Sequence, residues 1–264
     1  MAATPFEIHV DEPMLADLRV RLEQARLTSV SAATDWSLGT DPEFLRGLVE
    51  YWRTGFDFRA QVARLNALPQ FKARVGGTEL HFVHVRGRGP NPTPLLLLHG
   101  WPDSFDRYHK VLPILADPLR AGAEAGDSFD IVVPSLPGFA FSGAAEPPQG
   151  RPLLRYTAEL LWKLMSEVLG YSRFAVAGGD TGSVLAQILA IDRPRSVIAI
   201  HVTDLGWHAM NGDESGLTKE ERTYLAESKQ RLLTDAGYAL MQSTRPRTLA
   251  TALNDSPVAL ASWI

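Results

Sequence analysis

The stretch Gly-Gly-Asp-Thr-Gly-Ser at residues 178–183 lies between an apolar run typical of a strand and a helical pattern. Its Gly-x-Asp-x-Gly spacing is that of a nucleophile elbow, a tight turn that exposes the side chain of its central residue, here Asp180. Side chains at Gly178 and Gly182 would collide in such a turn. A carboxylate placed there can attack a carbon that bears a leaving group or belongs to a strained ring, which gives an ester for water to cleave. The alternative is that Asp180 only caps the following helix.

A second motif, His99-Gly100-Trp101-Pro102, directly follows the apolar run Leu95–Leu98. In proteins with such an elbow, the loop after this strand supplies one N–H group of an oxyanion hole, and the residue after the nucleophile, here Thr181, supplies the other. Two N–H groups aimed at one point stabilise the negative oxygen that forms when an ester is hydrolysed. We therefore expect Trp101 to donate its backbone N–H and to line the pocket with its ring. His99 is expected to hold the loop by hydrogen bonds.

Hydrophobic periodicity predicts helices before these motifs and alternating strands and helices around them. Residues 11 to about 70 have a helical pattern, in which Asp11 opens the first helix. The second helix is expected to start at Thr40 or Asp41, and Glu43 is placed to close a capping box on Thr40. The expected later elements are strands at residues 80–85, 95–98, 131–133, 174–177 and 197–201, and helices at residues 153–169 and 183–191. This alternation predicts a mostly parallel sheet. Further on, Thr218 with Glu221 predicts a capping box, and Gly237 a helix C-cap.

Composition excludes several classes of protein. The 264 residues are 45% hydrophobic and 21% charged, which is typical of a soluble globular protein. Acidic residues outnumber basic ones, 30 to 26, and no basic run suits a phosphate backbone, so no nucleic-acid partner is expected. Without cysteine there is no disulfide or thiolate site. The N-terminus, which carries Glu7, lacks an apolar signal sequence, and no run approaches the ~20 apolar residues of a membrane anchor. We expect a cytoplasmic protein.

The motifs together give a resemblance that covers the whole chain. The sequence resembles the microsomal-type epoxide hydrolases of the α/β-hydrolase superfamily. The matching segments are residues 36–39, 51–53, 64–66 and 69–71 in the N-terminal part, residues 99–102, 134–139, 141–142 and 178–182 in the core, and residues 252–257 in the cap. Tryptophan commonly follows the nucleophile in this family, whereas Thr181 stands here. This difference changes the size or polarity of the pocket.

The resemblance implies an α/β fold with three parts. These are a helical N-terminal segment at residues 1–75, the first part of an α/β-hydrolase core with a mostly parallel sheet at residues 76–205, and a partial helical cap at residues 206–264. It also implies that an epoxide is opened to a vicinal diol through an ester of Asp180, with no cofactor and no metal. Tyr238 would hydrogen-bond the epoxide oxygen, and Trp101 and Thr181 would form the oxyanion hole. The expected partners are a small-molecule epoxide and water, and a homodimer is one assembly to test.

The second half of that reaction needs a general base, which the family takes from a late histidine oriented by a carboxylate. Only His201 and His208 follow Asp180 in this sequence, and structural roles are expected for both. Asp204 stands where some superfamily members keep the orienting acid. The chain also stops within the cap, so we expect a truncated member that lacks the last core strands, the second cap tyrosine, the acid and the histidine.

Two other functions remain open from the sequence. A haloalkane dehalogenase also uses an elbow aspartate, but the long N-terminal helical segment and Tyr238 are against this reading, since halide needs Trp or Asn donors rather than a phenol. A non-catalytic fragment that acts as a binding or assembly subunit is the alternative from a different class.

Overall fold

The computed structural model describes residues 2–28, 36–204 and 214–264. Two compact units are formed, one by Met1–Ile8 with Gln61–Leu205 and the other by His9–Ala60 with Gly206–Ile264. Both units are therefore assembled from segments that are distant in sequence. The three-part division into residues 1–75, 76–205 and 206–264 stays a prediction, and its second boundary lies outside the described residues.

The first unit contains a mixed sheet. Its strands, as found in the described part of the chain, are β1 (Thr4–Pro5), β2 (Gln70–Val75), β3 (Thr78–Val85), β4 (Thr93–Leu98), β5 (Phe129–Pro134), β6 (Phe174–Gly178) and β7 (Val197–Val202). They are ordered β1-β2-β3-β5-β4-β6-β7. β4 pairs in parallel with β5 and β6, and β6 pairs in parallel with β7, whereas the first four strands in this order pair antiparallel. The predicted α/β architecture is confirmed, with more antiparallel pairing than the sequence indicated.

Helices surround the sheet and make up the second unit. They are α1 (Glu12–Glu23), α2 (Pro42–Thr54), α3 (Phe58–Asn66), α4 (Leu112–Ala116), α5 (Leu153–Lys163), α6 (Thr181–Asp192), α7 (Lys219–Asp235), α8 (Gly237–Thr244), α9 (Pro246–Asp255) and α10 (Pro257–Trp263). A π-helical turn, Leu164–Val168, extends α5. Over residues 2–28, 36–204 and 214–264, no helix combines the length and apolarity that a membrane crossing requires.

The core of the first unit lies between the parallel strands and the two helices α5 and α6. Leu96 and Leu98 on β4 are fully buried, as are Leu160 on α5 and Leu185 on α6. Because the strands beside the elbow are covered, their sequences are almost continuously apolar rather than alternating. This packing fixes the end of β6, from which the elbow starts.

Strand β2 is the main difference from the sequence-based expectation, because it falls within a segment predicted to be helical. Gln70–Val75 pairs along its whole length with Thr78–Val85. The hairpin turn is made by Gly76 and Gly77, whose φ angles of 54° and 89° favour glycine. Pairing with a neighbouring strand decides the conformation of this short segment, and periodicity alone does not show it.

The second unit brings together helices from both ends of the chain. Leu22 of α1, Val49 of α2 and Val258 of α10 form one buried cluster. The Arg21 guanidinium donates a hydrogen bond to the carbonyl of Asp255, which is 234 residues away in sequence. This unit therefore depends on contacts between segments at opposite ends of the chain.

Two of the three predicted caps differ from the structure. The N-cap of α2 is Asp41, whose carboxylate accepts the Phe44 N–H at 2.7 Å. The Thr40 hydroxyl instead donates to the carbonyl of Ser262 at 2.6 Å, so the expected capping box on Thr40 is wrong. Gly237 is likewise the first residue of α8 rather than a C-cap, because the chain turns at the preceding alanine and continues as helix.

The capping box predicted at the start of α7 is confirmed. Glu221 N–H donates to the Thr218 hydroxyl at 3.2 Å, and the Glu221 carboxylate accepts the Thr218 N–H at 2.8 Å. The side chain of each residue thus accepts the backbone N–H of the other. Backbone N–H groups at the start of a helix otherwise lack partners within the helix.

Two buried histidines on β3 are expected to destabilise the chain in mild acid. Burial lowers the pKa of His81 and the pKa of His84 to about 4, from 6.5. Between pH 6.5 and 4 the unfolded chain therefore binds more protons than the folded chain, so the free energy of unfolding falls as the pH falls. The full loss is on the order of 3 kcal/mol for each histidine.

Urea unfolding at several pH values between 7 and 4.5 measures this dependence. His81 is held between the Ser135 hydroxyl at 2.8 Å and the Gln70 side-chain oxygen at 2.9 Å. His81→Gln should flatten the slope of stability against pH, whatever it does to stability at pH 7. An unchanged slope in this variant would contradict the assignment.

Candidate active site

The elbow has the geometry that its glycines predict. Asp180 follows β6 and precedes α6 with φ 53° and ψ −128°, a conformation that costs about 1–3 kcal/mol for a residue with a side chain. A Cβ atom on Gly182 would stand 2.1 Å from the Leu98 carbonyl oxygen, and one on Gly178 would stand 2.5 Å from the Gly182 backbone. Only glycine fits at both positions. Asp180 stands at the N-cap position of α6 but makes no side-chain capping bond, so capping does not explain it.

Two donors hold one oxygen of the Asp180 carboxylate. The Trp101 backbone N–H donates to Oδ1 at 3.0 Å, and the Thr181 hydroxyl donates to the same atom at 2.9 Å. The structure therefore brings together Asp180, Trp101 and Thr181, as the sequence predicts. The Thr181 donor seen here is its hydroxyl, whereas its backbone N–H was expected. In the described part of the chain, both bonds leave Oδ2 as the oxygen available to a substrate.

Gly100 has a role that the motif alone does not explain. A Cβ atom at this position would stand 2.1 Å from Asp180 Oδ1 and 2.5 Å from Asp180 Cβ. The loop after β4 can therefore present the Trp101 N–H to the carboxylate only because residue 100 has no side chain. The sequence signal was the His-Gly-Trp-Pro motif, but the neighbour that requires the glycine is 80 residues further along the chain.

His99 holds two loops and is not available as a base. It is fully buried, and the Leu136 backbone N–H donates to its Nε2 at 3.1 Å. Its proton is therefore on Nδ1, which donates to the Gly100 carbonyl at 3.0 Å. Burial lowers the pKa of His99, so the ring stays neutral at pH 7. These contacts agree with the loop-holding role expected for it.

Asp204 lies at the elbow itself, which sequence reasoning missed. The Asp180 backbone N–H donates to Asp204 Oδ2 at 2.6 Å, and the Thr203 hydroxyl donates to the same oxygen at 2.9 Å. The sequence placed Asp204 only after the strand that contains His201. The available signal was the position of Asp204 just after β7. Because β6 and β7 are parallel neighbours, their carboxyl ends lie side by side, and the elbow starts from the end of β6.

The other expected groups lie on other elements or outside the described residues. Tyr238 lies on α8 in the second unit and is 38% exposed, and its role stays a prediction. His201 lies on β7 with an exposed side chain, and His208 lies outside the described residues. No group of three His, Asp or Glu side chains within the described ranges is arranged to hold a metal ion.

Two family models match the chain. Residues 3–108 match the epoxide hydrolase N terminus, and residues 93–248 match the alpha/beta hydrolase fold. The chain is 33% identical to epoxide hydrolase 1 of Sus scrofa and 32% identical to that of Oryctolagus cuniculus, in each case over 98% of this chain and 61% of the relative. It superposes on the Aspergillus niger epoxide hydrolase with a TM-score of 0.85 and 29% identity, over 100% of this chain and 69% of that structure.

The resemblance to epoxide hydrolases is thereby confirmed. The chain spans about three fifths of the length of these curated relatives. The second family model covers more than half of the chain and includes both the loop after β4 and the elbow. The chain therefore belongs to the α/β-hydrolase fold family, with an N-terminal region that matches that of the epoxide hydrolases.

Proposed function

We propose that this chain carries the ring-opening apparatus of an epoxide hydrolase, in which Asp180 is the nucleophile. The observation that carries the proposal is the strained elbow carboxylate, with Oδ1 held by the Trp101 N–H and the Thr181 hydroxyl and Oδ2 left for attack. The names of the relatives supply the substrate class, a small-molecule epoxide.

In the first step, Asp180 Oδ2 bonds to a ring carbon, and the bond between that carbon and the ring oxygen breaks. The ring oxygen leaves with the electron pair and takes a proton from an acid, for which we propose the Tyr238 phenol. Asp180 is then an alkyl ester whose carbonyl oxygen is Oδ1. Holding the carboxylate rigidly beside the substrate lowers the entropic part of the barrier.

In the second step, water attacks the ester carbon of Asp180 and gives up a proton to a base. Negative charge develops on Oδ1, where the Trp101 and Thr181 donors already point, and such donors stabilise the oxyanion more than the ester carbonyl. The bond between the Asp180 ester carbon and Oδ2 then breaks. Oδ2 leaves with the substrate as the second hydroxyl of the diol and takes the proton held by the base. The oxygen of the water stays in the Asp180 carboxylate, and the remaining proton of the water returns to the Tyr238 phenolate. Neither step uses a cofactor or metal.

We assign no base among the residues of the site that the structure describes. His99 has both ring nitrogens engaged. For His201 and His208 we propose structural roles from the sequence, and His208 lies outside the described residues. We therefore expect the 264-residue chain to stop at the ester. Styrene oxide should leave a covalent adduct on the peptide that contains Asp180, with almost no diol.

Intact-mass spectrometry, peptide mapping and diol measurement on the same samples test this function. The absence of an adduct on a folded chain would refute the proposed function. Many diol molecules per chain would instead show that His201 or His208 acts as the base, which variants of each histidine would then identify.

Thr181 offers a matched pair of variants for the second step. Thr181→Val removes the hydroxyl but keeps the shape, whereas Thr181→Ser keeps the hydroxyl. Losing an oxyanion donor costs about 10²-fold or more in other enzymes, so the adduct of the valine variant should decay about 10²-fold more slowly than that of the serine variant. Adduct formation should not slow, since the donor stabilises the free carboxylate more than the ester. Equal decay rates would show that the hydroxyl has no part in hydrolysis.

A further inference from the structure

We propose that Asp204 is a positioning residue that holds the backbone of the nucleophile elbow in its reactive conformation. This inference rests on the proposed function, because it assigns Asp204 to the step in which Asp180 attacks. It differs from the role of an orienting acid, which would act on a histidine during ester hydrolysis.

The first contact is between the carboxylate and the nucleophile's own amide. The Asp180 N–H donates to Asp204 Oδ2 over 2.6 Å. The Thr203 hydroxyl donates to the same oxygen over 2.9 Å and so fixes the direction of the carboxylate. Asp204 therefore acts on the position of the Asp180 backbone.

A second set of contacts joins residues 203–204 to both ends of the elbow. The Asp204 N–H donates to the Ser183 hydroxyl oxygen at 3.3 Å, and the Ser183 hydroxyl donates to the Gly178 carbonyl at 2.8 Å. The Thr203 N–H donates to that carbonyl as well, at 3.2 Å. Residues 203–204 thus hold the elbow before, at and after Asp180.

The elbow needs such support because its central residue is in an unfavourable conformation. Asp180 has a positive φ angle, and residues of this kind keep it only where their surroundings impose it. Gly179 allows the close approach of the supporting segment, since a Cβ atom there would stand 2.8 Å from the Thr203 hydroxyl oxygen. Without the Asp204 bond, we expect the Asp180 peptide to rotate and Oδ2 to move away from its attack position.

The test compares Asp204→Ala with Asp204→Asn in the 264-residue chain. The amide oxygen of asparagine can accept both hydrogen bonds, whereas alanine accepts neither. With saturating styrene oxide, adduct formation should slow about 10²-fold in the alanine variant, the effect of a misplaced reacting group, and should stay near the wild-type rate in the asparagine variant. The half-saturating concentration should change little, because the described contacts of Asp204 are with the elbow and Thr203.

Amide hydrogen exchange at Asp180 gives a readout that does not depend on activity. The Asp180 N–H should be protected in the wild type and in the asparagine variant and should exchange at least about tenfold faster in the alanine variant. Thr203→Val covers the case in which the alanine variant does not fold. It removes one donor to Asp204 and should slow adduct formation about tenfold, typical of the loss of one hydrogen bond.

The outcomes separate this inference from the proposed function. A wild-type chain that forms no adduct refutes the proposed function, and exchange at Asp180 still tests the support given by Asp204. Wild-type rates of adduct formation and exchange in Asp204→Ala overturn the inference alone. Equal slowing in the alanine and asparagine variants also overturns it, because the hydrogen bonds would then not be the cause. Slower adduct decay with normal adduct formation in Asp204→Ala would also overturn the inference. It would show that Asp204 orients a histidine during ester hydrolysis instead.

Discussion

Replacing Asp180 by asparagine is expected to abolish covalent adduct formation with an epoxide. A neutral amide cannot supply the electron pair that forms the ester, and the loss of a nucleophile costs on the order of 10⁶-fold in a serine protease. The amide oxygen can still accept the bonds from the Trp101 N–H and the Thr181 hydroxyl, so the fold should change little. Intact-mass spectrometry after incubation with styrene oxide measures the effect.

Asp192→Asn is the matched control, because it makes the same chemical change at the other end of α6. The Asp192 carboxylate is paired with Arg155 at 2.6 Å, far along the helix from the elbow. It should form adduct at the wild-type rate. Wild-type reactivity in a folded Asp180→Asn chain would refute the assignment, provided that the mass of the reactive species excludes deamidation back to aspartate.

Gly100→Ala should be the most damaging substitution by a single methyl group. The new Cβ atom would stand 2.1 Å from Asp180 Oδ1, so the carboxylate must rotate or the loop after β4 must retreat. Either movement breaks the bond from the Trp101 N–H and misplaces Oδ2. We expect adduct formation to slow about 10²- to 10³-fold, as when an oxyanion donor is lost or a reacting group is displaced.

Gly126→Ala provides the control for this prediction. No atom lies within 4 Å of a Cβ atom placed on Gly126, so the variant should fold and react like the wild type. Rates of adduct formation and melting temperatures of both variants separate damage to the site from loss of folded protein. A normal rate for Gly100→Ala would mean that the carboxylate can react from another position.

The site could largely be predicted from the sequence because its signals are local. Residues 178–182 carry their own steric reason for glycine, and the apolar run before them predicts β6 to within one residue. The loop after β4 is also predicted from a local signal, because the motif at residues 99–102 directly follows an apolar run. Asp180 and Trp101 are 79 residues apart, yet two recognisable motifs predict their contact.

Other features depend on contacts between segments that no local pattern connects. The helical expectation for the N-terminal part failed at β2, since its strand conformation depends on pairing with β3. The bond from the Asp180 N–H to Asp204 depends on how β6 and β7 align. The choice of the Thr181 hydroxyl as donor depends on a side-chain rotamer at the start of α6. Each needs the three-dimensional arrangement before it can be recognised.

The second unit has a consequence for folding during synthesis. Its buried cluster joins α1 and α2 to α10, and the Arg21 bond to Asp255 spans 234 residues. At translation rates of about 5–20 residues per second, the first helices leave the ribosome roughly 10 to 50 s before the last ones exist. Their apolar faces stay without these partners for that time. A nascent chain of this protein should therefore be a good substrate for chaperones until α10 is made.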